Sequence, residues 1–293
     1  MSMHKSFLDR LFEFFNHGIL LIFSLAALFP IYYTFILSFT DPVEYYSKDF
    51  VLFPTQWTLD AYKYLMSTDT FVRAIGNSTF LAVVGTLLSL IVSTGLAYAI
   101  SRKRLRFRRI LMFGILFTIL FQPGLIPSYL IVRNVGLIDS IWSLIIPSLT
   151  GGWFVLLMKG FFDSIPDALE EAARIDGANE ISIFFRIIIP LSIPSLVAFG
   201  LFFAVGYWNT YFGAVMFLND HSKWPLQVIL QMMLVDPSSA INSNVADMRT
   251  DQKMPSETLK MAAVVIATLP IMMVYPFLQK HFAKGAMIGS VKE

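Results

Sequence analysis

Six runs of this 293-residue chain contain no Asp, Glu, Lys, Arg or His: 18–39, 74–101, 110–132, 140–158, 187–219 and 261–279. A run of about 20 apolar residues is long enough, as a helix, to cross a hydrocarbon core of about 30 Å. Hydrocarbon offers no partner to a free backbone N–H or C=O, and a helix satisfies both within the run. Only 14% of residues are charged, against about 25% in soluble domains. The expected fold is all-α and polytopic, a single transmembrane domain over 1–293 with six transmembrane helices at about 18–39, 74–101, 110–132, 140–158, 193–219 and 261–279. The first run exceeds a signal-peptide h-region and has acids on its amino-terminal flank, so it reads as an uncleaved span. Pro123, Gly124 and Pro127 break the third run, and Pro147, Gly151 and Gly152 mark the fourth. Segments 41–73 and 220–260 read as polar loops, and 280–293 as a short basic tail.

Six spans place both termini on one side. With that side inside, it holds fourteen Lys and Arg and the outside holds eight, spread over longer loops. Basic residues in short loops face the cytoplasm, so both termini are expected there. The cluster Arg102, Lys103, Arg104, Arg106, Arg108 and Arg109 reads as an anchor of that kind and not as a nucleic-acid patch.

Between the fourth and fifth spans lies a charged island, 163–190. Ser164 is the expected N-cap, with Pro166 in the first turn of a helix running from Asp167 to Ile175. At about 100° per residue, Leu169, Ala172, Ala173 and Asp176 share one side, and Asp167, Glu170, Glu171 and Arg174 the other. Gly177 suits the left-handed position that closes a helix. Asn179 can cap a second helix, 180–189, which Pro190 interrupts. An acidic helix is a poor match for an anionic lipid surface. Two readings stand on composition alone: a docking element for another protein, or an ordinary loop helix.

The chain has no GxxxxGK[ST] loop for ATP phosphates and no GxSxG or HExxH pattern. It has no cysteine, and its four histidines form no ligand spacing, so no metal is expected. The uncharged runs lack the ionisable relay that ion-driven pumps use. They hold neutral polar and aromatic residues instead: Asn77, Gln122, Tyr129, Tyr207, Trp208, Asn209 and Tyr211. Rings beside amides suit sugars, which stack C–H faces and share hydroxyl hydrogen bonds. The same residue types form interfacial belts and glue helices together. That plainer reading is favoured for each, except in the 207–211 cluster, where an amide falls among rings at mid-span.

Glu171-Ala172-Ala173, three residues, Gly177, nine residues, Ile187, one residue, then Ile189-Pro190 resembles the EAA motif of permease subunits in ATP-binding-cassette (ABC) importers. Ile189 stands where that family usually has Leu. The segment IPDALEEAARIDGANEISIFFRIIIPLSIP, with Asn77-Ser78 and Tyr207-Trp208-Asn209, is similar to the carbohydrate-uptake, maltose-permease-like branch. Within it the chain looks most like second permease subunits of bacterial alginate or other complex-oligosaccharide importers.

The resemblance implies a type I ABC importer fold with a cytoplasmic coupling helix, in the bacterial inner membrane. It implies a non-catalytic subunit that shares its path with a second homologous permease. Two ATPase subunits holding ATP and Mg, and a periplasmic solute-binding protein contacting 220–260, would complete the system. Cofactors and nucleic acid are not expected on this chain. Glu170, Glu171, Ala172, Ala173, Arg174, Asp176 and Gly177 would form the ATPase-coupling site, with Glu171 meeting a basic residue. An acidic sugar would look to Arg73, Arg133, Lys223 and Lys260 for cations, or to the second permease. The competing reading is a self-sufficient carrier or channel for small polar solutes.

Overall fold

The computed structural model describes residues 7–48, 50–235 and 256–289. The described residues are helical, with one isolated antiparallel bridge between Thr40 and Trp57 and no sheet. Four helices are long and apolar enough to cross a membrane: Leu11–Ser38, Asp69–Ser101, Glu180–Trp208 and Glu257–Val274. Two further pairs qualify together, Arg108–Leu120 with Leu125–Asn134 and Trp142–Ser148 with Gly152–Asp163, so the count reaches six if each pair is one span.

The 110–132 run is therefore not one straight helix. It turns by 119° between its limbs. Pro123 interrupts the ladder, Gly124 takes φ +79°, and Pro127 sits in the first turn of the second limb, where it needs no N–H. The 140–158 run bends by 49° at Leu149–Gly151, and its second limb continues to Asp163.

The fifth run departs from expectation in both directions. Pro190 and Pro194 do not interrupt it, because helix runs from Glu180 to Trp208. A π turn at Phe184–Ile188 absorbs the defect, and the Ile189 N–H reaches back five residues to the Phe184 carbonyl. A wide turn of this kind rearranges the ladder just before the proline that lacks a donor. At the other end the helix stops at Asn209, where Thr210 N–H bonds the Tyr207 carbonyl at 3.1 Å and tightens the last turn. A separate short helix, Phe212–Phe217, follows. The 207–211 cluster is thus at a helix end and not at mid-span.

The segments read as loops also carry structure. Pro42–Ser47 and Asp60–Ser67 are helical within 41–73. Leu226–Val235 is an apolar helix within 220–260, and residues 236–255 of that segment lie outside the described residues. The expected basic tail continues as helix to Gly289, and 290–293 lie outside the described residues.

The chain divides into two units, each taken by itself. The first comprises described residues of 1–68 and 232–268. Ile36, Leu37 and Val51 are its core, with Tyr32, Tyr33, Tyr45 and Met261 packed around them. Buried Glu44 shapes its loop by accepting from Lys48 Nζ at 2.7 Å, Thr55 N at 2.9 Å and Gln56 N at 3.2 Å. The Lys48 hydrogen bond first, then those backbone donors, hold its carboxyl down at about 2.

The second unit comprises described residues of 69–231 and 269–293. Helix Asp69–Ser101 packs along Gly152–Asp163 and Glu180–Trp208. Ala97, Ile100, Val155, Met158, Phe162, Ile183 and Ile188 form a core near its carboxyl end. At its amino end Asn77 Nδ2 donates to the Ser222 and Trp224 carbonyls at 2.9 and 3.1 Å, and Ser78 Oγ accepts from Leu226 N at 2.8 Å. Asp139 gathers the Asn219 and Asp220 amides and Lys223 Nζ at 3.1, 2.9 and 2.9 Å. The Asp220 amide, then Lys223, hold its carboxyl below the usual range.

Close helix contact depends on missing side chains. A Cβ on Gly152 would stand 2.7 Å from Ile119 and 3.0 Å from the Ile115 carbonyl oxygen, whereas one on Gly151 would meet only Phe154 at 3.7 Å. Gly152→Ala should cost about 1–3 kcal/mol through overpacking against a helix backbone that cannot step aside. Gly151→Ala should be close to neutral. Thermal unfolding of both purified variants in detergent checks this; equal midpoints would rule out the steric account.

Candidate functional site

The island folds from local rules. Ser164 does not cap its helix, because its hydroxyl donates back to the Phe161 carbonyl at 2.6 Å and closes the preceding helix. Pro166 takes the cap position and Asp167 begins the helix, which ends at Ile175. Gly177 has φ +83°. Its N–H bonds the Arg174 carbonyl at 3.0 Å, and the Ala178 N–H bonds the Ala173 carbonyl at 2.9 Å. Those two bonds make the paired closure that a left-handed glycine permits. Asn179 Oδ1 accepts from Ser182 N at 2.8 Å and starts the span that follows.

Much of the island's acidity is neutralised within the chain. Arg102 caps the carboxyl end of Asp69–Ser101, pairs with Glu170, and lies with its guanidinium carbon 4.7 Å from the Tyr98 ring centroid. The Glu170 side chain is 4% exposed and that of Arg102 12% exposed. Arg174 reaches Glu170 at 2.9 Å and Glu180 at 3.1 Å. Arg104 pairs with Glu180, Lys159 with Asp163, and Lys103 with Asp167 at 2.8 Å. Burial lowers Arg102 from its ordinary pKa, with nearby acids opposing the shift. The hydrogen bond from Lys103 lowers Asp167.

The inward line of the helix therefore cuts across the two sequence faces. Glu170 and Arg174, both on the charged side, turn toward the chain together with Ala173. Ala168, Leu169, Glu171, Ala172, Ile175 and Asp176 point outward. Among the described residues Glu171 and Asp176 pair with no basic side chain. Leu169 is 43% exposed and Ile175 86% exposed, so the outer face is apolar knobs beside two acids. Sequence reasoning missed Ile175 because it falls outside both faces. It read Arg102 as part of the basic anchor and not as this counter-ion, because Arg102 follows a different span.

The aromatic and amide residues separate into two groups. Asn77 is occupied by the two carbonyls described above. Tyr207 is buried, its hydroxyl 2.9 Å from Ser89 Oγ and 3.4 Å from the Ile145 carbonyl, and its ring leaves no room for a Cβ at Gly85. Trp208 is buried, and Tyr129 stacks on Phe217 at 6.4 Å. Gln122 is exposed in the break of the third run. Asn209 and Tyr211 line a cavity of about 320 Å³ with Ser143, Pro147 and Ser148, and Asn209 Oδ1 accepts from Gln227 Nε2 at 3.2 Å. No group of three or more His, Cys, Asp or Glu that could hold a metal ion occurs among the described residues.

Residues 89–287 match the family described as binding-protein-dependent transport system inner membrane component. The chain belongs to this permease family. The permease is 45% identical to the polygalacturonan/rhamnogalacturonan transport system permease protein YtcP of Bacillus subtilis, over 97% of this chain and 99% of that one. It is 42% identical to protein LplC of the same organism, over 99% and 98%. It also superposes on a chain from the crystal structure of a bacterial ABC transporter involved in the import of the acidic polysaccharide alginate. The TM-score is 0.89 and the identity 35%, over 96% of this chain and 100% of that one. The permease is a non-catalytic, multi-pass inner-membrane subunit of a carbohydrate-uptake ABC importer, and ATP hydrolysis belongs to separate subunits. That decides between the importer subunit and the self-sufficient carrier.

Removing Glu170 strands a mostly buried guanidinium, so Glu170→Ala should cost about 3 kcal/mol. Glu171→Ala, on the outer face, should stay within about 0.5 kcal/mol. Chemical denaturation of the two variants in detergent checks the contrast; equal losses would mean the two acids share one environment.

Proposed function

We propose that this permease, with a second homologous permease, forms the path for an acidic oligosaccharide of the uronate class. ATP-driven alternating access would move the sugar. The observation that carries the substrate class is the 45% identity, over nearly the whole chain, to a permease named for polygalacturonan and rhamnogalacturonan. The likeness to an alginate-importer structure points to the same chemistry.

In this reading each bent pair is one span, the chain forms one permease domain with six spans, and the basic excess holds both termini in the cytoplasm. Helix Asp167–Ile175 is then a cytoplasmic coupling helix seated on one of two ATPase subunits, and the binding protein docks on the opposite side. Its outer face suits a cleft: Leu169, Ala172 and Ile175 supply apolar contact, while Glu171 and Asp176 offer charges to basic residues. Gly177 sets the turn, and Glu170, Ala173 and Arg174 hold the helix to its own chain. Asn209 and Tyr211 are the sugar contacts of the path. Tyr207, Trp208 and Asn77 frame it, while Gln122 and Tyr129 flank its broken third run.

A uronate also needs a cation. Lys223 is engaged by Asp139, Lys260 by Glu257, and Arg73 faces Asp69 at 3.8 Å. Arg133, exposed in the last turn of Leu125–Asn134, has no such partner among the described residues. Of these four it is the cation that remains to meet a carboxylate.

Two experiments test the parts separately. Glu171→Ala and Gly177→Asp should insert normally yet lose ATPase co-purification and most uptake; normal retention and uptake in both would sink the docking role. In the reconstituted importer, the wild type should take up acidic in preference to neutral oligosaccharides. Arg133→Gln should lower acidic uptake about tenfold, the loss of one charged contact. Preferential uptake of neutral oligosaccharides by the wild type would overturn the substrate class.

A further inference from the structure

Glu170 stands beside Glu171 in the chain and does different work. The helix Asp167–Ile175 is joined by backbone to Gly152–Asp163 on one side and to the span beginning at Glu180 on the other. Neither link reaches Asp69–Ser101. The side chains supply that third link: Glu170 pairs with Arg102 at the end of this span, and Asp167 pairs with Lys103 next to it. The first pair is the buried one. Arg102 is fixed further by the Ser101 hydroxyl at 2.9 Å, the Phe162 carbonyl at 3.4 Å and the Tyr98 ring.

The span so gripped leads to the corner that holds Asn209 and Tyr211. From Arg102 back to Gly85 is about 25 Å of helix at about 1.5 Å per residue. There Gly85 lies against the Tyr207 ring and Ser89 bonds its hydroxyl. Tyr207 is two residues from Asn209, which lines the 320 Å³ cavity. Helix runs unbroken from Ser101 back through Ser89 into a π turn at Leu81–Gly85, so a displacement applied at Arg102 has a continuous helical route to Tyr207.

We propose that Glu170 is a positioning residue, and that its ion pair with Arg102 carries motion of the Asp167–Ile175 helix into span Asp69–Ser101 and on to the Tyr207–Asn209 corner. This rests on the coupling-helix reading of the same element. It divides the two neighbouring acids: Glu171 faces outward to the ATPase, and Glu170 faces inward to the span that must move.

The test uses the whole importer, with both permeases, the ATPases and the binding protein, in liposomes. Two variants are compared with wild type: Glu170→Gln, and the double variant Arg102→Met with Glu170→Leu. Replacing both members of a buried pair by apolar groups of similar volume removes the stranded Arg102 charge and is often neutral or stabilising, and Arg174 keeps Glu180. Both variants should retain the ATPases and hydrolyse ATP. Sugar moved per ATP should fall about five- to tenfold, and in the double variant it should stay low although the unfolding temperature returns to that of wild type. A purely structural role predicts the opposite, with transport per ATP recovering along with stability, and that result would overturn the proposal. So would loss of the ATPases from the Glu170→Gln complex, which would make Glu170 a docking residue. Failure of the docking reading is seen elsewhere, as normal ATPase retention and uptake with both Glu171→Ala and Gly177→Asp.

Discussion

Hydrocarbon gives no partner to a charge, so the ionic structure of the described chain collects at the ends of its spans. Around helix Asp167–Ile175, Arg102, Lys103, Arg104, Lys159 and Arg174 meet Asp163, Asp167, Glu170 and Glu180. Near the start of Asp69–Ser101, Asp139 and Lys223 form a second knot. Between them the spans are held by small residues and hydroxyls: Gly85 against Tyr207, Gly152 against Ile119, Gly200 against Leu90, and Ser89 to Tyr207. In a bilayer this division is expected, since helix association there depends on close packing and not on hydrophobic transfer.

The charged knot of the island is more than an anchor. A buried ion pair is weak support for stability, because desolvation of both ions offsets most of their attraction. Its stronger property is geometric: a guanidinium fixed by a carboxylate, a ring and a carbonyl has few alternative positions. Together with the Lys103–Asp167 and Arg174–Glu180 pairs, the Arg102–Glu170 pair fixes the rotation of the helix about its own axis. That rotation decides that Glu171, Leu169 and Ile175 face outward. One acid ties the helix to the neighbouring span, and the acid beside it is left available to a partner.

How much of this was legible in the sequence depended on the distance over which each feature is determined. Gly177 and Asn179 were legible because a helix end is set by bonds three to five residues apart. The break at Pro123–Gly124 was legible for the same reason, although its 119° angle was not. Pro190 misled, since its effect depends on whether the preceding turn can widen, and Phe184–Ile188 does widen. Asn209 misled in another way: an unbroken apolar run from 187 to 219 gives no sign of where the last helical turn tightens. The pairing of Glu170 with Arg102 had no local signal, because the two lie on elements brought together only by packing of spans.

The sequence by itself determined the membrane class, the helical nature of each uncharged run, the absence of a phosphate loop and the EAA spacing that points to the importer family. These follow from composition and from periodicities of a few residues, which act before any tertiary contact forms. The tertiary structure alone decided which acid of the island turns inward, which of the aromatic and amide residues are framework and which line a cavity, and which cations are already engaged. Those choices are made by partners far apart in the chain, and a partner across a helix interface leaves no mark on the residues beside it.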